Sequence, residues 1–436
     1  MSFDPQAQQL NDAIAASHPQ VLDMLSKRGK AIYFPKLGVL AQSAEAVGKD
    51  INATIGIALE EDGGALVLPS LADAIKLPKG NAFTYAPSPG RPDLRKLWKE
   101  MIVKKSPSLA GKPISEPVVT TALTHGISMA GYLFCDPEDT VFIPSLYWEN
   151  YDLAITLATG AKLETFNTFT PEGGFDVAAL KAKLDAAHDG KRGGKKIVSL
   201  NFPNNPSGYT PTVEEAAAIV KLLTEAASAG DKVVVLLDDA YFGLVFEKGV
   251  YEESVFAPLA DAHENLLAVK IDGATKEDYV WGFRVGFLTY AIKGGTPALY
   301  AALEAKTGGA IRGNISNSSH PAQSLLLAAW SSPGYAAEKQ RAFDLLKKRY
   351  DKVREILAAH PEYAGSFTPL PFNSGYFMCV RPLKADAEVL RKKLLADYST
   401  GTVNFGGILR VAFSATPTDK LEKLFANLHA AAQELA

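Results

Sequence analysis

Cysteine is scarce in this sequence. The 436 residues contain two, Cys135 and Cys379, and both lie in apolar segments. Such positions predict buried thiols that behave as small apolar side chains, not a disulfide framework. This usage is typical of a reducing compartment, and the first residues lack the basic-then-apolar pattern of a signal peptide. The sequence therefore predicts a cytoplasmic protein.

Features of membrane and nucleic-acid partners are also lacking. No apolar run approaches the roughly 18 residues that a membrane-spanning helix needs. The formal net charge is only -3, without a basic stripe or a polybasic arm. We therefore expect no membrane, no nucleic acid and no metal as partner. No G-x-G-x-x-G follows the first strand of the alternating region described below, which disfavours a dehydrogenase.

What the chain does contain is the composition of an ordinary globular protein, with 47% apolar and 21% charged residues. Its length favours two domains. From Glu116 onward, short apolar strands alternate with amphipathic helices, which predicts an α/β fold with a mostly parallel sheet between helices. From His320 onward, long helical stretches precede a small unit of mixed helices and strands, so we expect a domain boundary near residue 320.

Four loops at predicted strand ends carry polar residues, and ligands collect at the carboxyl ends of parallel strands. Thr124 opens a helix after VVTTA, where it either caps the helix or helps to hold a phosphate. Asn205 lies in PNNPSG, which is either an ordinary turn or a rigid amide donor. Asp238, followed by Tyr241, ends the buried strand VVVLL and is either a helix cap or the partner of a buried cation.

The fourth loop presents Lys276. It follows a glycine-containing turn, precedes three aromatic residues and has Arg284 eight positions later. Most lysines are solvated surface residues. A lysine amine that is partly desolvated beside another cation loses proton affinity and becomes a nucleophile toward aldehydes. This setting is therefore typical of a Schiff-base lysine.

Taken together, NNPSG, DDAY and TK followed by WGFRVG resemble the signature loops of the class I aminotransferases, which use pyridoxal 5′-phosphate (PLP) on fold type I. NATIGIALEEDGGALVLPSL resembles the aspartate aminotransferase subgroup. The resemblance implies a large PLP-binding domain over residues 66–320 with a mostly parallel seven-stranded sheet. It also implies a smaller α+β domain over residues 321–436, to which residues 1–65 mainly belong.

The resemblance also implies roles for individual residues. Lys276 would form the internal aldimine and act as the catalytic base, while Asp238 would keep the pyridine nitrogen protonated. Asn205 and Tyr241 would donate to the 3′ oxygen of the cofactor. The phosphate would be bound by Arg284, Thr124, Leu123 and Thr275, with Tyr85 from a second subunit. Trp148 would stack on the cofactor ring, with Tyr147 as the alternative. Arg410 and Gly56 would hold the substrate carboxylate together with Asn205 and Trp148.

Substrate choice and assembly follow from the same resemblance. IRGNISN resembles the segment whose arginine crosses a dimer interface to bind a side-chain carboxylate, which implies that Arg312 serves a homodimer with sites at the interface. The alternative is an ordinary surface arginine. The implied reaction moves an amino group from an L-amino acid, aspartate or glutamate first and an aromatic one second, to a 2-oxoacid. Open alternatives are a PLP-dependent lyase or decarboxylase and a PLP-binding regulator without turnover.

Three positions depart from the family pattern. Gly273 stands where serine is common three residues before the lysine. Ala122 and Leu123 occupy the phosphate-binding turn where glycine is usual, and Tyr279 stands where glycine is frequent.

Overall fold

The computed structural model describes residues 3–17, 19–33, 38–187 and 193–436. The N-terminal part is mostly helical. Its elements are α1 (Pro5–Ser17), α2 (Pro19–Met24), α3 (Lys27–Ala31), α4 (Val39–Glu45), β1 (Ile51–Asn52), α5 (Pro69–Asp73), α6 (Lys79–Phe83) and α7 (Pro92–Lys105).

The middle of the chain alternates strands and helices, as the sequence pattern predicts. The strands are β2 (Val118–Thr120), β3 (Thr140–Pro144), β4 (Lys162–Phe166), β5 (Lys195–Asn201), β6 (Lys232–Asp238), β7 (Leu266–Asp272) and β8 (Gly286–Ala291). The helices are α8 (Ala122–Phe134), α9 (Val177–Ala186), α10 (Val213–Ser228), α11 (Phe256–Leu259) and α12 (Ala274–Glu277), with a 3-10 turn at Pro107–Leu109 and a π-helical segment at Asp152–Leu157.

These strands form one seven-stranded sheet in the order β2-β8-β7-β6-β5-β3-β4. Strands β3 to β7 pair in parallel, while β8 runs antiparallel to both of its neighbours. The expected seven-stranded, mostly parallel sheet is therefore confirmed. The register aligns Asn201 with Asp238 and Asp238 with Ile271, so the carboxyl ends of β5, β6 and β7 lie side by side.

The C-terminal part carries a second sheet and the longest helix. Its helices are α13 (Pro297–Asn314), α14 (His320–Trp330), α15 (Tyr335–Ala359), α16 (Ala387–Asp397) and α17 (Leu421–Glu434). Its strands are β9 (Phe367–Pro369), β10 (Phe377–Pro382), β11 (Thr400–Gly401), β12 (Val403–Phe405) and β13 (Ile408–Ala412), with 3-10 turns at Pro361–Gly365, Phe413–Ala415 and Thr418–Lys420.

The small sheet is antiparallel in the order β12-β13-β10-β9. Strand β1 pairs in parallel with β11, and the backbone N–H of Ala412 donates to the carbonyl of Ala53 at 2.8 Å. The segment after β1 therefore lies beside β13, which brings Gly56 close to the strand that carries Arg410.

Two further expectations can be compared with the fold. Cys135 and Cys379 are both buried free thiols, as predicted. Within the described ranges, no helix is both long enough and apolar enough to cross a membrane.

Candidate active site

A cavity of about 220 Å³ opens where the carboxyl ends of β5, β6 and β7 meet the start of α8 and the small sheet. Most of the residues that the sequence singled out line it. These are Gly56, Leu123, Thr124, Trp148, Asn205, Asp238, Tyr241, Thr275, Lys276, Arg284 and Arg410. Loops that are far apart in the chain thus converge because the parallel strands end at one edge.

Lys276 is presented by α12, a helix of only four residues that begins directly after β7. The turn before it needs glycine for reasons of space. A Cβ at Gly273 would lie 2.7 Å from the Cα of Gly286 and 2.7 Å from the carbonyl oxygen of Val285. Serine, which the family commonly has here, does not fit this backbone. On the far side, the Tyr376 hydroxyl donates to the carbonyl of Lys276 at 3.1 Å.

The Lys276 amine lies 5.3 Å from the centre of the Tyr241 ring, at the floor of the cavity. Burial lowers the pKa of Lys276 to about 8, with Arg284 acting in the same direction and Asp238 opposing it. Because this pKa lies close to neutral pH, deprotonation of the amine requires little free energy, and the neutral amine can act as a nucleophile or a base.

Asp238 faces the same space from the end of β6 and is 5% exposed. Its Oδ2 accepts a hydrogen bond of 2.6 Å from the Tyr151 hydroxyl, and its Oδ1 accepts one of 3.1 Å from the N–H of Ala240. Burial raises the pKa of Asp238 to about 6, although Tyr151 and Lys276 both favour the anion. A cation placed opposite this carboxylate would lower its pKa and stabilise the anion.

Arg410 and Asn205 form the opposite wall. The Arg410 guanidinium donates to Oδ1 of Asn205 and to the carbonyl of Thr54, each at 2.9 Å, and stacks 4.2 Å from the Phe377 ring. Arg410 is 2% exposed, and its Nε has no hydrogen-bond partner among the described residues. No described carboxylate pairs with it, so a buried positive charge faces the cavity without an anion.

One cation and two hydroxyl groups lie at the start of α8. Arg284 and Thr275 line the cavity there together with Leu123 and Thr124. Ala122 has φ 62° and Tyr279 has φ 58°, which is the left-handed region that favours glycine. These angles explain why glycine is usual at the two positions. Nothing in the structure explains why this chain has alanine and tyrosine there.

Two predicted site residues lie outside the cavity in the single chain. Tyr85 is 88% exposed, and Arg312 is an exposed residue in the last turn of α13 that donates to the Ser316 hydroxyl at 2.7 Å. Both were expected to act on a second subunit. Tyr147, the alternative to Trp148, lines a neighbouring cavity and donates to Asp152, so Trp148 is the residue at this site.

Sequence reasoning missed Asn201, which lines the cavity, and Tyr151, which donates to Asp238. Asn201 lines the cavity, donates to the carbonyl of Asp238 at 2.8 Å and accepts from the N–H of Asn205 at 2.7 Å. Its position at the end of an apolar strand was the available signal. Tyr151 gave no signal, because a tyrosine three residues after Trp148 in a helical pattern resembles ordinary core packing. The peptide bond between Asn205 and Pro206 is cis.

The family model for aminotransferase class I and II matches residues 49–428. An aspartate aminotransferase from Geobacillus stearothermophilus is 28% identical over 329 residues, which cover 72% of this chain and 74% of that protein. A probable N-acetyl-LL-diaminopimelate aminotransferase from Bacillus subtilis is 30% identical over 208 residues, and this match covers 48% of each chain.

Solved structures show the same fold. An aminotransferase from Anaerococcus prevotii superposes with a TM-score of 0.82 at 23% identity, covering 93% of this chain and 98% of that one. An aspartate aminotransferase from Thermus thermophilus with maleate gives a TM-score of 0.72 at 20% identity, covering 93% and 99%. The chain thus belongs to the class I and II aminotransferases and is a PLP-dependent transaminase of the aspartate aminotransferase type.

Proposed function

We propose that this transaminase takes its amino group from a dicarboxylic L-amino acid, aspartate or glutamate, and passes it to a 2-oxoacid in the cavity around Lys276. The observation that carries the proposal is Arg410, a buried cation without an anionic partner among the described residues. A buried charge is costly unless it is paired, and a substrate α-carboxylate supplies the missing anion. Kinship with aspartate aminotransferases supports the choice of donor.

The cavity suits PLP in the chemistry of its side chains. An amine at Lys276 meets the aldehyde, a buried carboxylate at Asp238 meets the pyridine nitrogen, and Trp148 offers a ring face. When bound, the cofactor withdraws electrons from the substrate Cα while its nitrogen stays protonated. Asp238 maintains that protonation, because a buried anion raises the proton affinity of a cation beside it.

Phosphate binding is proposed for the end of the cavity at α8. Arg284 supplies the charge, Thr124 and Thr275 supply hydroxyls, and the N–H groups at the start of the 13-residue helix supply backbone donors. The hydroxyl that serine would add at position 273 is absent. The phosphate therefore depends more heavily on Arg284, and on Tyr85 from a second subunit.

Proton transfer is proposed for Lys276. Lys276 would hold the cofactor through its nitrogen, and the same nitrogen, when free, would take up and return the proton at the substrate Cα. A pKa of about 8 makes the neutral amine available near neutral pH. Arg410 and Asn205 hold the carboxylate, with the backbone at Gly56 closing over it, and this orientation exposes the Cα–H bond to the lysine.

Donor choice is proposed to depend on Arg312 in a homodimer. Arg312 lies on the surface at the end of α13, outside the cavity of its own chain. In a two-fold dimer with sites at the interface, the same residue from the neighbouring subunit reaches the substrate and binds its side-chain carboxylate. Aromatic donors are the second choice, and a relative from Aquifex aeolicus is described as a probable aspartate/prephenate aminotransferase.

A panel of amino donors with 2-oxoglutarate as acceptor tests the proposal. Aspartate should be the best donor, and Arg312→Met should lower its kcat/KM by about 100-fold because a buried charge pair is lost. In the same variant, kcat/KM with alanine as the donor should change by less than about twofold. Lys306→Met, an exposed position on the same helix, is the matched control. Equal aspartate activity in Arg312→Met and wild type would refute the assignment.

Stoichiometry separates the remaining alternatives. A transaminase yields one amino-acid product for each oxoacid acceptor consumed, whereas a lyase or decarboxylase turns over without the acceptor. A regulator without turnover would bind PLP and show no product in either assay.

A further inference from the structure

Two buried carboxylates directly follow the lysine that we assign to the cofactor. Glu277 is 3% exposed, and Asp278 has no exposed surface. Consecutive buried carboxylates are costly unless cations and hydrogen-bond donors surround them. Their partners come from three helices that are distant in sequence and lie on the far side of Lys276 from the cavity.

Lysines from two of these helices hold Glu277. The Lys105 amine, at the end of α7, lies 3.0 and 2.9 Å from the two carboxylate oxygens. The Lys339 amine, in the first half of α15, lies 3.2 Å from Oε2 of Glu277 and 3.1 Å from Oδ1 of Asp278. Burial alone would raise the pKa of Glu277, but Lys105 and Lys339 outweigh it and lower the pKa.

Neutral donors complete the shell around Asp278. The Tyr335 hydroxyl, at the start of α15, donates to Oδ1 at 2.5 Å, and Nε1 of Trp330, at the end of α14, donates to Oδ2 at 3.1 Å. Lys339 also donates to the Tyr335 hydroxyl at 3.3 Å. The two carboxylates thereby attach three separate helices to the turn that follows Lys276.

The short helix needs this attachment. A helix of four residues has no stability of its own, because nucleation is unfavourable. Its side chains and the Tyr376 hydroxyl on the Lys276 carbonyl are therefore what fix the backbone. A displacement of the amine by 1 Å can cost about 100-fold in rate.

The groups that face the amine differ from those that hold its turn. Asp238, Tyr241 and Arg284 face Lys276 from other elements, and Asp238 and Arg284 are the charges that act on its nitrogen. The carboxylates of Glu277 and Asp278 adjoin Lys276 in the chain but are held by the lysines, the tyrosine and the tryptophan named above. The position of the amine relative to Asp238 and Arg284 therefore depends on the contacts that hold this turn.

We propose that Lys339 and Lys105 are positioning residues of the transaminase: they hold the carboxylates behind Lys276 and thereby fix the turn that places its amine. This inference rests on the assignment of Lys276 as the cofactor-binding lysine. It links α15, whose second half contacts α17 and the turn at Phe413–Ala415, to the chemistry at the large sheet.

The test is a pH titration of the absorption band of bound PLP in the holoenzyme, which reports the proton on the Lys276 nitrogen. Lys339→Met and Glu277→Gln should each shift the midpoint, because release of the turn moves the amine relative to Asp238 and Arg284. The double variant should shift no further than the single variants, because both changes remove the same contact. In Lys339→Met, kcat should also fall by roughly tenfold.

Two controls make the result specific. Lys339→Arg retains the charge and should retain most of the wild-type midpoint. Lys347→Met removes a lysine of the same helix that pairs with Asp351 on the exposed face. This variant should keep the wild-type midpoint and kcat. If Lys339→Met does not fold, the shift of the midpoint in Glu277→Gln decides.

Unchanged midpoints in both Lys339→Met and Glu277→Gln would overturn the inference. That outcome differs from failure of the underlying assignment. If Lys276 does not hold the cofactor, the wild-type protein itself would lack a titrating band that disappears in Lys276→Ala.

Discussion

At the scale of single residues, the adjacent carboxylates of Asp238 and Asp239 have different roles. Side chains alternate between the two faces of a β-strand. Asp238 therefore points into the cavity, where Tyr151 donates to it, while Asp239 points away and pairs with the buried Lys270 and with the Ser254 hydroxyl. One carboxylate is left for chemistry, and the other stabilises the fold.

Removal of the Tyr151 hydroxyl should change the acid side of the pH–rate profile. The hydroxyl stabilises the anion of Asp238, so Tyr151→Phe should raise the pKa of that carboxyl above its present value of about 6. Activity that needs the anion is then lost at a higher pH, by up to about one unit. The measurement is kcat as a function of pH.

Tyr147→Phe is the matched control, because that hydroxyl donates to Asp152 beside a neighbouring cavity. An acid limb that stays in place in Tyr151→Phe would contradict the role of this hydrogen bond.

The residues found from sequence share one property. Asp238 ends an apolar strand, and Asn205 and Lys276 lie in the turns that follow two other strands, so these polar residues stand out against their neighbours. Tyr151 was missed because a tyrosine in a helical pattern is common in ordinary cores. Asn201 was missed although it ends its strand as Asp238 does. Only the pairing of β5 with β6 brings Asn201 beside Asp238.

At the scale of elements, the central strands contain a buried charge that their apolar sequence pattern does not predict. Lys270 is 1% exposed in β7, and its amine pairs with Asp239 and lies 3.4 Å from Asp272. The Trp98 indole donates to Asp272 at 3.0 Å. This cluster joins β7, α7 and the turn after β6 directly below the site.

Lys270→Met should destabilise the protein by about 3–5 kcal/mol, because it leaves two buried carboxylates without their cation. Urea denaturation of the wild type and the variant measures the difference in the free energy of unfolding. Lys181→Met removes an exposed i,i+4 pair with Asp185 and should cost less than about 0.5 kcal/mol. A cost below about 1 kcal/mol for Lys270→Met would contradict the importance of the buried pair.

Sequence reasoning recovered the order and type of the central elements, since apolar strands and amphipathic helices have distinct periods. Two features lay beyond it. The antiparallel insertion of β8 between β2 and β7, and the pairing of β1 with β11, depend on contacts between segments that are distant in sequence. Local pattern carries no information about such partners.

At the scale of the whole molecule, the contacts of α14 and α15 bear on the domain boundary, which the sequence predicts near residue 320. Trp330 stacks on Trp98 at 5.0 Å, which ties α14 to the elements beside the large sheet. Arg349 donates to the carbonyl of Ser414 in the C-terminal part. We propose that the boundary lies within α15, between Lys339 and Arg349. A ligand-bound structure tests this, because α14 should stay with the large sheet when the small sheet moves.

Subunit mixing tests the proposed homodimer. Lys276→Ala and Arg312→Met should each be inactive with aspartate. If the sites are shared across a two-fold interface, each mixed dimer contains one site with both residues intact, and the mixture should recover about a quarter of wild-type activity. Random exchange of subunits is verified with differently tagged chains. A mixture that exchanges and stays inactive would show that Arg312 acts within its own subunit.

The bond between Lys276 and the cofactor is the central claim, and chemical trapping tests it most directly. Borohydride reduction of the holoenzyme fixes PLP on the lysine that holds it, and peptide mass spectrometry then locates the modified residue. The expected result is a single modified lysine at position 276, with no trapping in Lys276→Ala. Modification of another lysine, or an unmodified Lys276 in active enzyme, would contradict this assignment.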